Sequence, residues 1–121
     1  MHYNDTGRGF PDIAAEAIDF VIVQFGFPLP GVSGTSCASP TAAGMFGLLN
    51  DMRASANKTS LGFLNPFIYQ NGDKFNDIVK GTNNGCGFGT SGFPAAKGWD
   101  AATGWGSPNF AKLKAEALKM Q

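Results

Sequence analysis

Residues 32–44, Val32-Ser33-Gly34-Thr35-Ser36-Cys37-Ala38-Ser39-Pro40-Thr41-Ala42-Ala43-Gly44, decide how the rest of the chain is read. They run into a pattern in which Ala42, Met45, Phe46, Leu49 and Met52 recur at i, i+3, i+4, i+7 and i+10, the stripe of an amphipathic helix. Ser36 stands where that helix opens. The free N–H groups and positive potential of a helix N-terminus suit a developing oxyanion, and Gly34 and Ala38 leave room for a substrate backbone. A serine at this place can equally be a helix cap, the ordinary role of Ser and Thr there. Pro40 fits if it lies in the first turn, where its missing N–H has no intrahelical partner. Gly44 and Gly47 cost about 1 kcal/mol each relative to alanine. The expected compensation is close approach of neighbouring backbone, which predicts a central helix.

Outward toward the N-terminus, Phe27-Pro28-Leu29-Pro30-Gly31 reads as a break, because two prolines do not fit a central strand. Before it, residues 18–25, Ile-Asp-Phe-Val-Ile-Val-Gln-Phe, are β-branched and aromatic and predict a strand. Phe10-Pro11-Asp12-Ile13-Ala14-Ala15 predicts the start of a short buried strand after a Gly7-Arg8-Gly9 turn. Toward the C-terminus, residues 54–60 read as a polar loop. A short helix is expected around Pro66–Tyr69 and a short strand over Phe75–Val79. Residues 81–98 hold six glycines and read as a long irregular loop, a kind usually functional or ordered by metal. A final helix, Phe110–Lys119, is capped by Asn109 or Ser107 and places Phe110, Leu113, Ala117 and Leu118 near one face.

Composition bounds the function. The chain has 121 residues, enough for one domain. Only 15% of residues are charged, against roughly 25% in an ordinary domain, while 43% are apolar. With 17 glycines and 11 phenylalanines this means tight turns and buried segments rather than disorder. Nine basic and nine acidic residues cancel, which argues against a nucleic-acid partner. No apolar run approaches the ~18–20 residues of a membrane span. No signal peptide is visible in the polar, aromatic start, Met1-His2-Tyr3-Asn4-Asp5. Cys37 and Cys86 form no CxxC and no cluster with histidine, so zinc is not expected; one disulfide or two unrelated thiols both remain open. Asn4-Asp5-Thr6 and Asn57-Lys58-Thr59 fit the N-glycosylation sequon and agree with a secretory origin.

Serine needs a base oriented by a third group before it attacks. The string from Ser33 to Pro40, with Ala42-Ala43-Gly44 behind it, resembles the nucleophile motif of the subtilisin-like serine peptidase clan. The only histidine, His2, lies in the polar start and not in a catalytic motif. Further matches fall in order along the chain: Gly7-Arg8-Gly9-Phe10-Pro11-Asp12-Ile13-Ala14-Ala15, Gly62-Phe63-Leu64-Asn65-Pro66, Phe75-Asn76-Asp77-Ile78, and Gly98-Trp99-Asp100-Ala101-Ala102-Thr103-Gly104-Trp105-Gly106-Ser107-Pro108. From about Tyr3 to Leu118 the chain resembles the C-terminal part of the catalytic domain of the sedolisin family, serine-carboxyl peptidases of the tripeptidyl-peptidase I type. The resemblance implies one partial domain over residues 1–121, with the nucleophile motif at 33–40 and a calcium-loop region at 77–100. It implies an α/β, subtilisin-like fold with a largely parallel sheet and a central helix beginning at the nucleophile, Ser36. It also implies peptide-bond hydrolysis at acidic pH, through an acyl-enzyme on Ser36, in an extracellular or vacuolar and lysosomal setting. The family's catalytic Glu and Asp and its oxyanion-hole Asp have no counterpart here, and Asp12, Glu16 and Asp19 sit in other motifs. The isolated chain is therefore expected to be inactive, with peptide or protein as substrate and the upstream part of its own catalytic domain as partner. Asp12 is expected to be structural, beside Arg8. Two other readings are a subtilisin-like peptidase with a His triad and a catalytically dead, calcium-stabilised module.

Calcium takes six or more hard oxygens, mixing carboxylates with carbonyls. Asp77 and Asp100 can each offer a carboxylate; alternatively they are unrelated surface aspartates. By resemblance, one Ca²⁺ is held by the side chains of Asp77 and Asp100 and the carbonyls of Ile78, Ala96 and Gly98, with water completing the shell. In some members of the family a cysteine at the place of Cys86 pairs with one upstream; the resemblance leaves the partner of Cys86 open but favours that pairing over a bridge to Cys37, which is expected to be a small buried residue.

Overall fold

A computed structural model describes residues 3–85, 87 and 89–121. Its core is carried by three helices, α1 (Thr35–Ser55), α2 (Leu64–Gln70) and α3 (Phe110–Lys119). Phe46 and Leu49 of α1, Phe67 and Ile68 of α2, and Leu113 and Ala117 of α3 are buried together with Phe75. Each large side chain so buried is worth about 1.5–3 kcal/mol of transfer free energy. The side chain of Asn109, one of the two caps the sequence offers, accepts the Lys112 N–H and caps α3.

Arg53 extends the buried stripe of α1 one turn beyond Leu49 and is 1% exposed. Its guanidinium donates to the carbonyls of Thr59, Ala117, Met120 and Gln121, with Nε to Thr59 at 2.6 Å and Nη2 to Gln121 at 2.9 Å. A cation placed against the open carbonyls at the end of α3 satisfies groups that no helix can satisfy internally. This ties the C-terminus of α1 to that of α3.

The strands are short. β1 (Phe20–Gln24) and β2 (Phe27–Val32) form a hairpin with Gln24 opposite Phe27. Its two turn residues, Phe25 and Gly26, have φ of 50° and 84°, the positive values of a type I′ turn. β3 (Phe75–Asn76) pairs with β6 (Ser107–Pro108), and β4 (Thr82–Asn84) pairs with β5 (Ser91–Pro94).

All three pairings are antiparallel and two-stranded among the described residues, so the largely parallel sheet expected from the sequence is not formed there. A parallel pair needs a long crossover between strands, whereas here β1 turns straight back into β2. The segment expected to break the chain, Phe27–Gly31, is instead most of β2. Its prolines are tolerated because, among the described residues, β2 has one strand neighbour rather than two. The stretch read as an irregular loop contains the β4–β5 hairpin; Cys86 lies outside the described residues.

Three further expectations change. The helix begins at Thr35, so Ser36 is its second residue and Pro40 its sixth, beyond the first turn. Pro40 has no N–H to give the Ser36 carbonyl, which leaves the first turn without that bond. A Cβ on Gly44 or Gly47 would meet nothing within 4 Å. Among the described residues no backbone approaches that side of α1, where Leu48 is 54% exposed. Finally, residues 10–17 are not a sheet strand; most of them lie half-buried, bonded to residues 99–106.

Candidate active site and metal loop

The head of α1 is fixed from both sides of the β1–β2 hairpin. The Gly34 N–H donates to the Ala17 carbonyl at 2.7 Å, and the Asp19 N–H donates to Ser33 Oγ at 3.0 Å. Gly34 is the N-cap, with φ 150° and ψ 161°, a region open in practice only to glycine. No side chain caps this helix. The capping role considered for Ser36 is therefore not the one it plays. Its hydroxyl is exposed and makes no hydrogen bond among the described residues. The Cys37 N–H turns back to the Gly34 carbonyl at 2.9 Å, while the N–H groups of Thr35 and Ser36 precede the first intrahelical bonds. Cys37 is a half-buried free thiol.

Beside this helix head lies a cleft of about 450 Å³, with Pro11, Ile13 and Ala14 on one wall and Ala38 and Ala42 on the other. Asp12 holds the outer wall in place. Its carboxylate pairs with Arg8 as expected, and also accepts from Tyr69 Oη at 2.8 Å and Asn65 Nδ2 at 3.4 Å. Its carbonyl accepts the Trp105 N–H at 3.0 Å, the Pro11 carbonyl accepts Trp99 Nε1 at 3.0 Å, and the Ala14 N–H reaches the Gly106 carbonyl at 3.0 Å. Burial raises the Tyr69 pKa above its ordinary value, and the hydrogen bond to the Asp12 carboxylate and its charge push it the same way. The sequence points to Arg8 beside Asp12 but not to Tyr69 and Asn65. The signal for that pair is the Asn65-Pro66 motif, with Tyr69 one helical turn beyond.

Four of the five residues named for calcium are linked by hydrogen bonds to the short segment 96–100, and Ile78 follows Asp77 in the chain. Asp77 Oδ2 accepts the Gly98 N–H at 2.8 Å, and Asp100 Oδ2 accepts the Ala96 N–H at 2.9 Å. Asp100 is only 6% exposed. Its Oδ1 accepts from the N–H groups of Ala102 at 3.0 Å and Thr103 at 2.8 Å, and from Thr103 Oγ1 at 3.1 Å. Burial alone would raise the pKa of this carboxyl; the N–H donors of Ala96, Thr103 and Ala102 and the Thr103 hydroxyl outweigh it and hold the pKa below the ordinary value. No donor reaches Asp77 Oδ1 or the carbonyls of Ile78, Ala96 and Gly98 among the described residues. Asp77 Oδ1 and the three carbonyls are hard oxygens of the kind a calcium-type ion takes, whereas both Asp100 oxygens already accept hydrogen bonds. No group of three or more His, Cys, Asp or Glu that could hold a metal occurs among the described residues, so a cation here would depend on backbone oxygen. Asp100 clamps the turn that Asp100 and Gly104 close by exchanging N–H and carbonyl.

No family model matches the chain. It is 44% identical over 111 residues to tripeptidyl-peptidase sed1 of Aspergillus fumigatus, an alignment covering 92% of this chain and 17% of that protein. Human tripeptidyl-peptidase 1 is 39% identical over 116 residues, covering 93% of this chain and 21% of its own length. In three dimensions the chain is similar to Pseudomonas sedolisin, a serine-carboxyl proteinase solved with two molecules of pseudo-iodotyrostatin. The TM-score is 0.73 and the identity 35%, over 88% of this chain and 29% of that one. The chain thus spans about a fifth of the length of the curated relatives it matches.

Proposed function

Because this chain belongs to the sedolisin family of peptidases, we propose that it is the part of such a catalytic domain that supplies the nucleophile, Ser36. The observation that carries this reading is an uncapped helix head with an exposed, unbonded serine, set in a turn that only glycine at position 34 allows. In the proposed reaction Ser36 Oγ attacks the carbonyl carbon of a peptide bond, and its proton passes to a carboxylate. The oxyanion is met by backbone N–H at the helix head, the amine leaves with a proton, and water then releases the acyl group from Ser36. Acidic carboxyls as the acid–base pair imply an acidic optimum and an extracellular or lysosome-like setting. Among the described residues no helix is long and apolar enough to cross a membrane.

Among the described residues no carboxyl or other base is hydrogen-bonded to Ser36 Oγ, and the isolated chain is expected to be inactive. The base and its orienting carboxyl would come from the upstream part of such a domain, which the longer relatives leave room for. The uncovered Gly44–Leu48 side of α1 and the cleft beside Ala38 offer that part an apolar seat. Asp77, Asp100 and the carbonyls of Ile78, Ala96 and Gly98 would hold a calcium ion. Its contribution is electrostatic: it offsets the repulsion of two carboxylates and ties residues 77–78 to residues 96–100.

The test is co-expression of this chain with the upstream part of the Aspergillus fumigatus relative's catalytic domain, followed by labelling with a fluorophosphonate at acidic pH. The expected result is a label on Ser36 in the mixture, none on the isolated chain, and none on Ser36→Ala. A label that persists in Ser36→Ala would overturn the assignment.

A further inference from the structure

Helix α1 ends in a Schellman turn. Ala56 is its C-cap. The Asn57 N–H donates to the Ala54 carbonyl at 2.9 Å, and the Lys58 N–H donates to the Arg53 carbonyl at 2.9 Å. Asn57 has φ of 56°, the left-handed conformation that this turn requires and that Gly and, next, Asn adopt. The residues after it tie the turn inward: Lys58 Nζ donates to the Met120 carbonyl at 2.9 Å, and the Thr59 carbonyl accepts Arg53 Nε at 2.6 Å. Asn57 and Thr59 are both exposed, and neither side chain takes part in a hydrogen bond among the described residues. The turn accounts for an asparagine at 57 but not for the hydroxyl at 59. At Asn4-Asp5-Thr6, by contrast, the threonine has a local partner, since Asn4 Oδ1 accepts the Thr6 N–H at 3.0 Å and Thr6 Oγ1 at 2.7 Å. Asn57-Lys58-Thr59 is also an N-glycosylation acceptor triplet, in which the hydroxyl two residues beyond the asparagine is the requirement.

We propose that Asn57 carries an N-linked oligosaccharide. In the transfer, Asn57 Nδ2 attacks C1 of an oligosaccharide held on a lipid pyrophosphate. The N–C1 bond forms, the bond from C1 to the pyrophosphate oxygen breaks, Nδ2 gives up one proton, and the lipid pyrophosphate leaves; nothing is oxidised or reduced. The proposal rests on the secretory setting put forward above, where such a donor meets the chain. A bulky, hydrophilic sugar must stay in water once the chain has folded. Residues 54–60 suit this: they carry no large apolar side chain, and all but Lys58 are exposed. They offer no apolar seat to a further part of the domain, unlike the Gly44–Leu48 side of α1, where Leu48 is 54% exposed. The site is also remote from the proposed chemistry. Asn57 lies 21 residues beyond Ser36, nearly all of them helical, which at ~1.5 Å per residue is about 30 Å. A sugar there leaves the helix head and the cleft beside Ala38 open.

The test is expression of the chain behind a eukaryotic secretion leader, which delivers it to the lumen whatever its natural address. Labelling of Ser36 tests the peptidase reading separately, so either can fail alone. The chain is recovered from the medium and from the lumen and treated with a peptide N-glycosidase, which turns a glycosylated Asn into Asp, and position 57 is read by peptide mass spectrometry. The expected result is Asp at 57 after the enzyme and Asn there without it. Thr59→Ala should abolish the conversion and Thr59→Ser should keep it. The turn uses the Thr59 carbonyl and not its side chain, so both variants keep the fold. An unconverted Asn57 in the wild-type chain, a conversion that survives Thr59→Ala, or its loss in Thr59→Ser would each overturn the proposal.

Discussion

Gly104→Ala tests how the N-terminal segment is held against the rest of the molecule. Gly104 has φ of +61°, and a Cβ there would lie 2.3 Å from the Asp12 carbonyl oxygen, 2.4 Å from its carbon and 2.7 Å from the Ile13 nitrogen. The obstructing atoms are backbone, so no rotamer change relieves the clash. The left-handed conformation costs a non-glycine residue about 1–2 kcal/mol. Forcing the two segments apart adds about 1–3 kcal/mol of overpacking and weakens the Trp105-to-Asp12 and Ala14-to-Gly106 backbone bonds, each worth about 0.5–1.5 kcal/mol. The expected loss is on the order of 3–5 kcal/mol, a large fraction of a small domain's stability. Gly62→Ala is the control: its φ is +65°, but nothing lies within 4 Å of the new Cβ, so it should cost only the conformational ~1–2 kcal/mol. Urea denaturation followed by tryptophan fluorescence measures both. Trp99 reports directly, since its Nε1 is bonded to the Pro11 carbonyl. Release of residues 10–15 should shift its emission to the red in Gly104→Ala and leave it unchanged in Gly62→Ala. Equal costs for the two variants would refute the docking argument.

Arg53→Ala is expected to cost about 2–4 kcal/mol, since several charge-assisted bonds at the buried junction of α1 and α3 are lost; Arg53→Lys should recover little, because an ammonium cannot reach the same spread of carbonyls, and thermal unfolding of the two variants decides it. Tyr69 has a folded pKa above its ordinary 10.0, so its hydrogen bond to Asp12 contributes fully below pH 10 and is lost as pH rises through the folded value. The stability gap between wild type and Tyr69→Phe should be flat at neutral pH and close in strong alkali; it should stay under ~1 kcal/mol because Tyr69 is 43% exposed, and a gap that widens above pH 10 would refute it. Calcium at a hundredfold excess over Kd should stabilise the chain by about 2.7 kcal/mol. Asp77→Asn, which keeps a carbonyl oxygen for the Gly98 N–H, should abolish that increment without opening the turn; a melting temperature indifferent to chelator at neutral pH would remove the metal.

The helices were legible in the sequence because their determinants are local. The apolar period after Gly34-Thr35-Ser36, the Asn109 cap and the short Leu64–Gln70 turn each act within a few residues of the bonds they govern. The family was legible for the same reason, as its motifs are contiguous strings. What the sequence could not decide was everything that depends on what stands opposite. Pro28 and Pro30 forbid a central strand but permit an edge, and among the described residues β2 is such an edge, with β1 as its neighbour. Gly44 and Gly47 implied a close backbone partner, yet whether one exists depends on elements far away in the chain. Arg53 continues the stripe of Phe46 and Leu49, but a buried cation is tolerable only because the carbonyl end of α3 arrives at that spot. Asp77 and Asp100, 23 residues apart in the chain, are both held by N–H groups of one short segment, Gly98 for Asp77 and Ala96 for Asp100. Pairing and burial are relations between distant segments, so the chain states the candidates and only the tertiary structure selects among them.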